Sequence, residues 1–151
     1  MTRPPLVLAL IALAAAPACK VVADPPGGLL TFEVREVAWD PPTPRIVLFV
    51  SDDKTYPCFN FGIENDLSVQ NQSIRVEMSG AITAPSICLE AIGPAHIRSP
   101  LPIAEGTYSL EFVRGGATDF YTLIVTKSTI QIIPVETHFT RPTALRFPRA
   151  A

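Results

Sequence analysis

From residue 30 onward, apolar and polar positions in this 151-residue chain alternate with a period of two, the spacing that sends successive side chains to opposite faces of a strand. Leu30, Phe32 and Val34 alternate with Thr31 and Glu33, and Val37 and Trp39 continue on the other parity. That phase change predicts a bulge near Arg35-Glu36. Asp40-Pro41-Pro42-Thr43-Pro44 breaks the chain, Arg45 to Val50 reads as a buried strand, and Ser51-Asp52-Asp53-Lys54 turns it. Cys58 to Glu64 alternates again with Phe59, Phe61 and Ile63 on one face, and Glu64-Asn65-Asp66 is expected to turn. Ser73 to Ser79 is the cleanest strand, with Ile74, Val76 and Met78 inward and Arg75 and Glu77 outward. Ile87 to Ile92 follows, with Cys88 opposite Leu89, and Gly93-Pro94 ends it. Thr107 to Val113 and Asp119 to Thr126 flank the turn Arg114-Gly115-Gly116-Ala117-Thr118, a hairpin signature, and Thr129 to Val135 is the last expected strand.

No stretch carries a helical period. Seven or eight short strands separated by turn signals predict an all-β sandwich or barrel. Sixteen prolines against eight glycines favour rigid connections and oppose helices. Glu105-Gly106-Thr107-Tyr108-Ser109-Leu110-Glu111-Phe112, followed by Thr118-Asp119-Phe120-Tyr121-Thr122-Leu123, resembles a hairpin seen in bacterial immunoglobulin-like, fibronectin-like and prealbumin-like domains. The resemblance implies a single immunoglobulin-like β-sandwich and names no ligand. The antibody pattern is absent, because Trp39 precedes both Cys58 and Cys88.

Composition narrows the class. Hydrophobic residues at 48% and charged residues at 17% supply a core and are too poor in charge for a disordered chain. The length suits one domain. A net charge of −2 offers no basic field, so no nucleic-acid partner is expected.

Ahead of the alternating region, Arg3 precedes an uncharged, mostly apolar run from Leu6 to Ala16, closed by small residues. This is the layout of a secretory signal peptide, and the run is too short to span a membrane as a helix. Ala16-Pro17-Ala18-Cys19 resembles a bacterial lipobox, which implies cleavage before Cys19 and lipidation of its thiol. Ala16 and Pro17 depart from the preferred pattern, and ordinary cleavage after Ala14–Ala16 or Ala16–Ala18 is the competing reading. The chain has three cysteines. With Cys19 acylated, Cys58 and Cys88 are left to form a disulfide, which an oxidising compartment would preserve; two buried free thiols are the other possibility. The expected organisation is a signal peptide over 1–18, a tether over 19–28, a β-sandwich over 29–136 and a Pro/Arg-containing tail over 137–151. The tail, with Arg141, Arg146 and Arg149 and no acid, reads as a loosely packed end or as a contact for anionic headgroups.

No catalytic constellation stands out. His96 and His138 lack partners at metal-ligand spacing, so no metal site is expected. No Gly-X-Ser-X-Gly motif and no phosphate-binding loop occurs. Ser51-Asp52-Asp53 and Asn60 with Glu64-Asn65-Asp66 carry calcium-type oxygens and read as solvated turns. The sequon Asn71-Gln72-Ser73 matters only in a eukaryotic secretory route. The reading is therefore a lipid-anchored protein of the bacterial envelope, on the outer membrane or cell surface, or else soluble in the periplasm or secreted. It is expected to be a non-catalytic binding or structural module without cofactor or small-molecule substrate. Its partners would be the membrane, through the lipid, and an envelope protein or polymer met by the stiff loops 40–44 and 99–102. The alternative is a proteinaceous inhibitor of a secreted hydrolase, and an enzyme with scattered site residues stands third.

Overall fold

A computed structural model describes residues 28–40 and 43–149. The signal-peptide region and Cys19 lie outside the described residues. Ten strands follow one another: β1 (Leu30–Asp40), β2 (Thr43–Ser51), β3 (Gly62–Gln70), β4 (Ser73–Thr83), β5 (His96–Pro100), β6 (Gly106–Arg114), β7 (Ala117–Val125), β8 (Thr129–Glu136), β9 (Thr140–Pro142) and β10 (Arg146–Pro148). The all-β class holds, with ten strands in place of seven or eight. They form one sheet in the order β10-β8-β7-β6-β4-β3-β5-β2-β1-β9. Within this one curled sheet, β3 meets β5 at a single residue pair, Gly62 with His96.

The sheet curls until its ends meet. Phe32 on β1 and Phe112 on β6 stand five places apart in the strand order, yet their ring centroids lie 4.7 Å apart. Tyr121 on β7 packs edge-on to Phe32 at 4.8 Å. Around these rings the inward parity supplies Leu48, Ile74, Leu110, Leu123, Ile130 and Ile132, all buried. Burial of such side chains contributes about 1.5–3 kcal/mol each. The polar partners at alternate positions face water, as the period-two pattern requires.

The segment after residue 136, read from sequence as a loose tail, completes the wall. Its first half pairs parallel to β1, Leu30 to Thr140 through Phe32 to Pro142. Its second half pairs antiparallel to β8, Arg146 to Gln131 through Pro148 to Thr129. Between them Thr143 N–H donates to Phe32 O and Leu145 O accepts from Ile132 N–H. One short segment thus touches both edges of the sheet. Its prolines are tolerated because each half uses only one flank, so few amide donors are required of it.

Three local expectations are corrected. β1 runs without a phase change, and its irregularity lies between Ala38 and Asp40 instead of at Arg35-Glu36. Glu64, Asn65 and Asp66 lie within β3 beside a bulge between Ile63 and Asn65. The turn comes later, at Asn71-Gln72, where Asn71 takes the left-handed φ of 53° that Asn tolerates better than most side chains. Residues 84–95 carry no strand; Pro85, Gly93 and Pro94 leave that segment a loop.

Candidate functional site

Cys58 and Cys88 are disulfide-bonded, with Cα atoms 5.3 Å apart. The bond is present, but neither cysteine sits on a strand. Cys58 lies in the turn region after β2, and Cys88 lies in the loop between β4 and β5. The bridge fastens one loop to another, and neighbouring polar contacts finish the clasp. Asn60 Nδ2 donates to Ile87 O at 2.7 Å, and Leu89 N–H donates to Asn60 Oδ1 at 3.2 Å. Tyr56 and Gly93 exchange backbone hydrogen bonds at the base of the loop. Asp52 braces the same base, accepting from Ala95 N–H at 2.9 Å and from the Tyr56 hydroxyl at 2.8 Å. That bond to a carboxylate is the main reason the Tyr56 phenol lies above its ordinary value, with desolvation second. Asp52 is therefore a loop support.

The clasp holds apolar side chains outward. Ile87 is 75% exposed, Ile92 74%, Leu89 53% and Phe59 51%. The cysteine count pointed to the bond; the apolar alternation at 87–92, read as a strand, concealed that its apolar residues face solvent. Ile87, Leu89 and Ile92 on one loop, with Phe59 on the other, form an exposed apolar patch.

Phe59 also borders a groove of about 450 Å³ on the outer face of β1, β2 and β5, lined by Arg35, Phe49, His96 and Arg98 among others. The Arg35 guanidinium lies 4.6 Å and that of Arg98 5.6 Å from the Phe49 ring centroid. Arg35 Nε is 2.8 Å from Glu33 Oε1. The His96 ring lies 5.8 Å from that of Phe59. The Phe49 ring thus lies within cation–π reach of two guanidinium groups, with the Glu33 carboxylate also lining the groove. These residues were legible only as strand positions, because pairing of β1 with β2 and of β2 with β5 is what brings them together.

A second cleft, about 340 Å³, is lined by Leu29, Tyr121, His138, Thr140 and Arg141 among others. Behind it the Asp119 carboxylate is fully buried. It accepts from the amides of His138 at 2.6 Å, Phe139 at 3.1 Å and Thr140 at 2.6 Å, and from the Thr140 hydroxyl. His138 Nδ1 sits 3.1 Å from Asp119 Oδ1, and Nε2 sits 3.4 Å from Glu136 Oε1. The carboxylate spends its acceptor capacity on backbone donors at the corner where β8 gives way to β9. An aspartate on the inward parity of β7, with Tyr121, Leu123 and Val125, was the available signal and went unread. Arg114, also inward, places its guanidinium 4.5 Å from the Phe139 ring centroid and donates to Gly28 O at 2.6 Å. Burial pulls its pKa below the ordinary value, with Asp119 and Asp53 opposing. Asp119 and Arg114 thus secure the two chain segments that flank β1 and β9.

The loop at 99–102 is less free than expected. Leu101 is buried and its amide donates to Ile46 O, so it continues the pairing of β5 with β2. Of the 40–44 loop, Pro41 and Pro42 lie outside the described residues. Among the described residues no group of three or more His, Cys, Asp or Glu side chains is gathered for a metal ion, and no helix is long and apolar enough to cross a membrane. Comparison with protein-family models, with curated proteins and with solved structures finds no match to this chain.

Proposed function

We propose that this is an exported bacterial protein, held on an envelope membrane by a lipid on Cys19, whose β domain is a non-catalytic binding module. The observation that carries the reading is the pairing of cysteines. Cys58 and Cys88 consume each other, which suits an oxidising compartment. That leaves Cys19 over, at the end of an apolar run with the order of a lipobox. The domain works as immunoglobulin-like domains do, through loops and a face presented by a rigid β scaffold. The Phe49 groove with Arg35 and Arg98 suits an envelope polymer bearing acidic groups.

Growth with a clickable fatty acid tests the anchor. Label on the wild type and none on Cys19→Ser supports it; equal label on both, or none on either, defeats it. Binding of acidic envelope polymers to the wild type, weakened about tenfold in Phe49→Ala through loss of the aromatic platform, tests the groove.

A second reading, an inhibitor of a secreted hydrolase, is favoured by one feature alone: the disulfide-held loop that presents Ile87 and Leu89 to solvent. A pull-down that returns one hydrolase, released by Ile87→Asp, would establish it.

A further inference from the structure

Strand directions sort the connecting loops into two ends. The registers place the start of β1, the end of β2, the start of β5 and the start of β3 together. The ends of β4 and β6 lie on the same side, because those strands run parallel from Ser73–Ser109 to Met78–Arg114. Gly28 is at this end. Arg114 Nη2 holds its carbonyl at 2.6 Å, and a Cβ on Gly28 would come within 2.7 Å of Asp53 Oδ1. The chain that precedes residue 28 therefore joins the domain at this end.

The exposed apolar side chains are sorted too. Six of the nine exposed large apolar side chains, Leu29, Phe59, Ile82, Ile87, Leu89 and Ile92, lie at the end where Gly28 enters; the other three, Ile133, Val135 and Leu145, lie on or beside β8. Among the described residues the opposite end, made by the turns at 71–72, 101–105 and 126–128, shows no exposed large apolar side chain. Between residues 81 and 97 the sole charged side chain is Glu90. The Cys58–Cys88 bond fixes the loop in place, so ordering it on contact costs little.

Distance supplies the occupant. Eight residues separate Cys19 from Gly28, a reach of at most about 30 Å fully extended. Strands of 9–11 residues set the opposite end about 30 Å farther off. We infer that the 82–92 loop, with Ile87, Leu89 and Ile92 at its surface, seats in the interfacial layer of the bilayer that holds the Cys19 lipid. The inference rests on the anchor reading above and adds a second, reversible membrane contact. Side chains of this kind settle roughly 5–10 Å into the headgroup boundary, which would hold the domain with its anchored end down and the groove's β1–β2–β5 wall upright beside the membrane.

The test uses the full acylated chain in vesicles of phosphatidylethanolamine and phosphatidylglycerol with brominated acyl chains. Ile87→Trp and Lys127→Trp, at opposite ends, are each measured against the wild-type Trp39 signal. Emission added by Ile87→Trp should be quenched about twofold or more, at the shallow depth of an interfacial side chain, and that of Lys127→Trp left unchanged. Equal quenching at both positions, or none at position 87, in protein whose Cys19 peptide carries the acyl mass overturns the docking and leaves the anchor standing. A Cys19 peptide without that mass overturns the anchor, and the docking with it. A photo-crosslinking side chain at position 87 should join lipid in cells; a discrete protein adduct there overturns the bilayer as occupant.

Discussion

Glu36 on β1 and Arg149, just past β10, form an ion pair at 2.9 Å across 113 residues of sequence. The Glu36 side chain is only 5% exposed and that of Arg149 19%. Arg149 also donates to Thr126 O at 2.6 Å, so it ties the sheet's two edges to the turn between β7 and β8. Arg149→Ala leaves a buried carboxylate without this partner, which costs about 2 kcal/mol. The expected result is a urea midpoint lowered with an unchanged slope. Lys at 149 should recover only part of the loss, because the two-nitrogen approach to Glu36 is lost.

That pair explains one misreading. The sequence shows apolar residues at 30, 32 and 34 and then at 37 and 39, which reads as a shift of parity. In the folded chain the parity does not shift before Ala38. Glu36 occupies the inward side in an apolar position's place, made tolerable by an arginine that sequence proximity could not suggest. The same holds for Asp119 and Arg114, inward charges on β7 and β6. Strands whose inward positions are all apolar, such as Ile74-Val76-Met78, were legible because hydrophobic burial is the whole of their pattern. The loop at 84–95 failed for the opposite reason. Its apolar residues are held outward by a covalent bond and by Asn60, so alternation there reported no buried face. The closing segment 137–149 was hidden because two prolines and three arginines look like an end that nothing packs against. The site was legible as far as the cysteine pairing; the Phe49 groove depends on strand neighbours that only the folded sheet supplies.

Removing the disulfide should destabilise the domain in one place first. The bond closes a loop with a sequence separation of 30, for which chain entropy gives about 3–4 kcal/mol. Cys58→Ser with Cys88→Ser should lower the unfolding midpoint accordingly. Amide exchange should rise first at Leu89 and Gly93, whose amides bond within this clasp, with the β6–β7 hairpin still protected at denaturant levels below the midpoint.

Asp119→Asn should be among the most damaging single changes. Three backbone amides and a hydroxyl converge on this carboxylate. An amide side chain would turn an NH₂ toward some of those donors, leaving buried N–H groups without acceptors. Each costs about 1–3 kcal/mol, so the loss should reach roughly 3–5 kcal/mol. The Leu30 amide, which donates to Phe139 O across the β1–β9 seam, should exchange faster in the variant. Unchanged exchange at Leu30 would show that the seam does not depend on Asp119.

Alkaline pH should weaken the fold through Tyr121. Its ring is buried at 1% exposure, and its hydroxyl donates to Thr140 O at 2.9 Å. Burial pushes its pKa up to about 12, with the hydrogen bond to Thr140 opposing. In the unfolded chain a tyrosine titrates near 10. Between these values the folded state keeps a proton that the unfolded state releases. The folded state then binds more protons, so stability falls as pH rises. The contribution is whole below about pH 10 and is lost as the pH climbs through about 12. A shift of this size corresponds to at most about 2–3 kcal/mol. Urea unfolding at pH 9, 10 and 11 should show the midpoint of the wild type declining across the series. Tyr121→Phe should start lower, having lost the bond to Thr140, and should decline less steeply. The tyrosinate absorbance that develops at high pH should be smaller in the variant by the share of one tyrosine of the three. Parallel declines in the two proteins would place the alkaline sensitivity elsewhere, with Tyr56, whose phenol is also raised by its bond to Asp52, the next residue to replace.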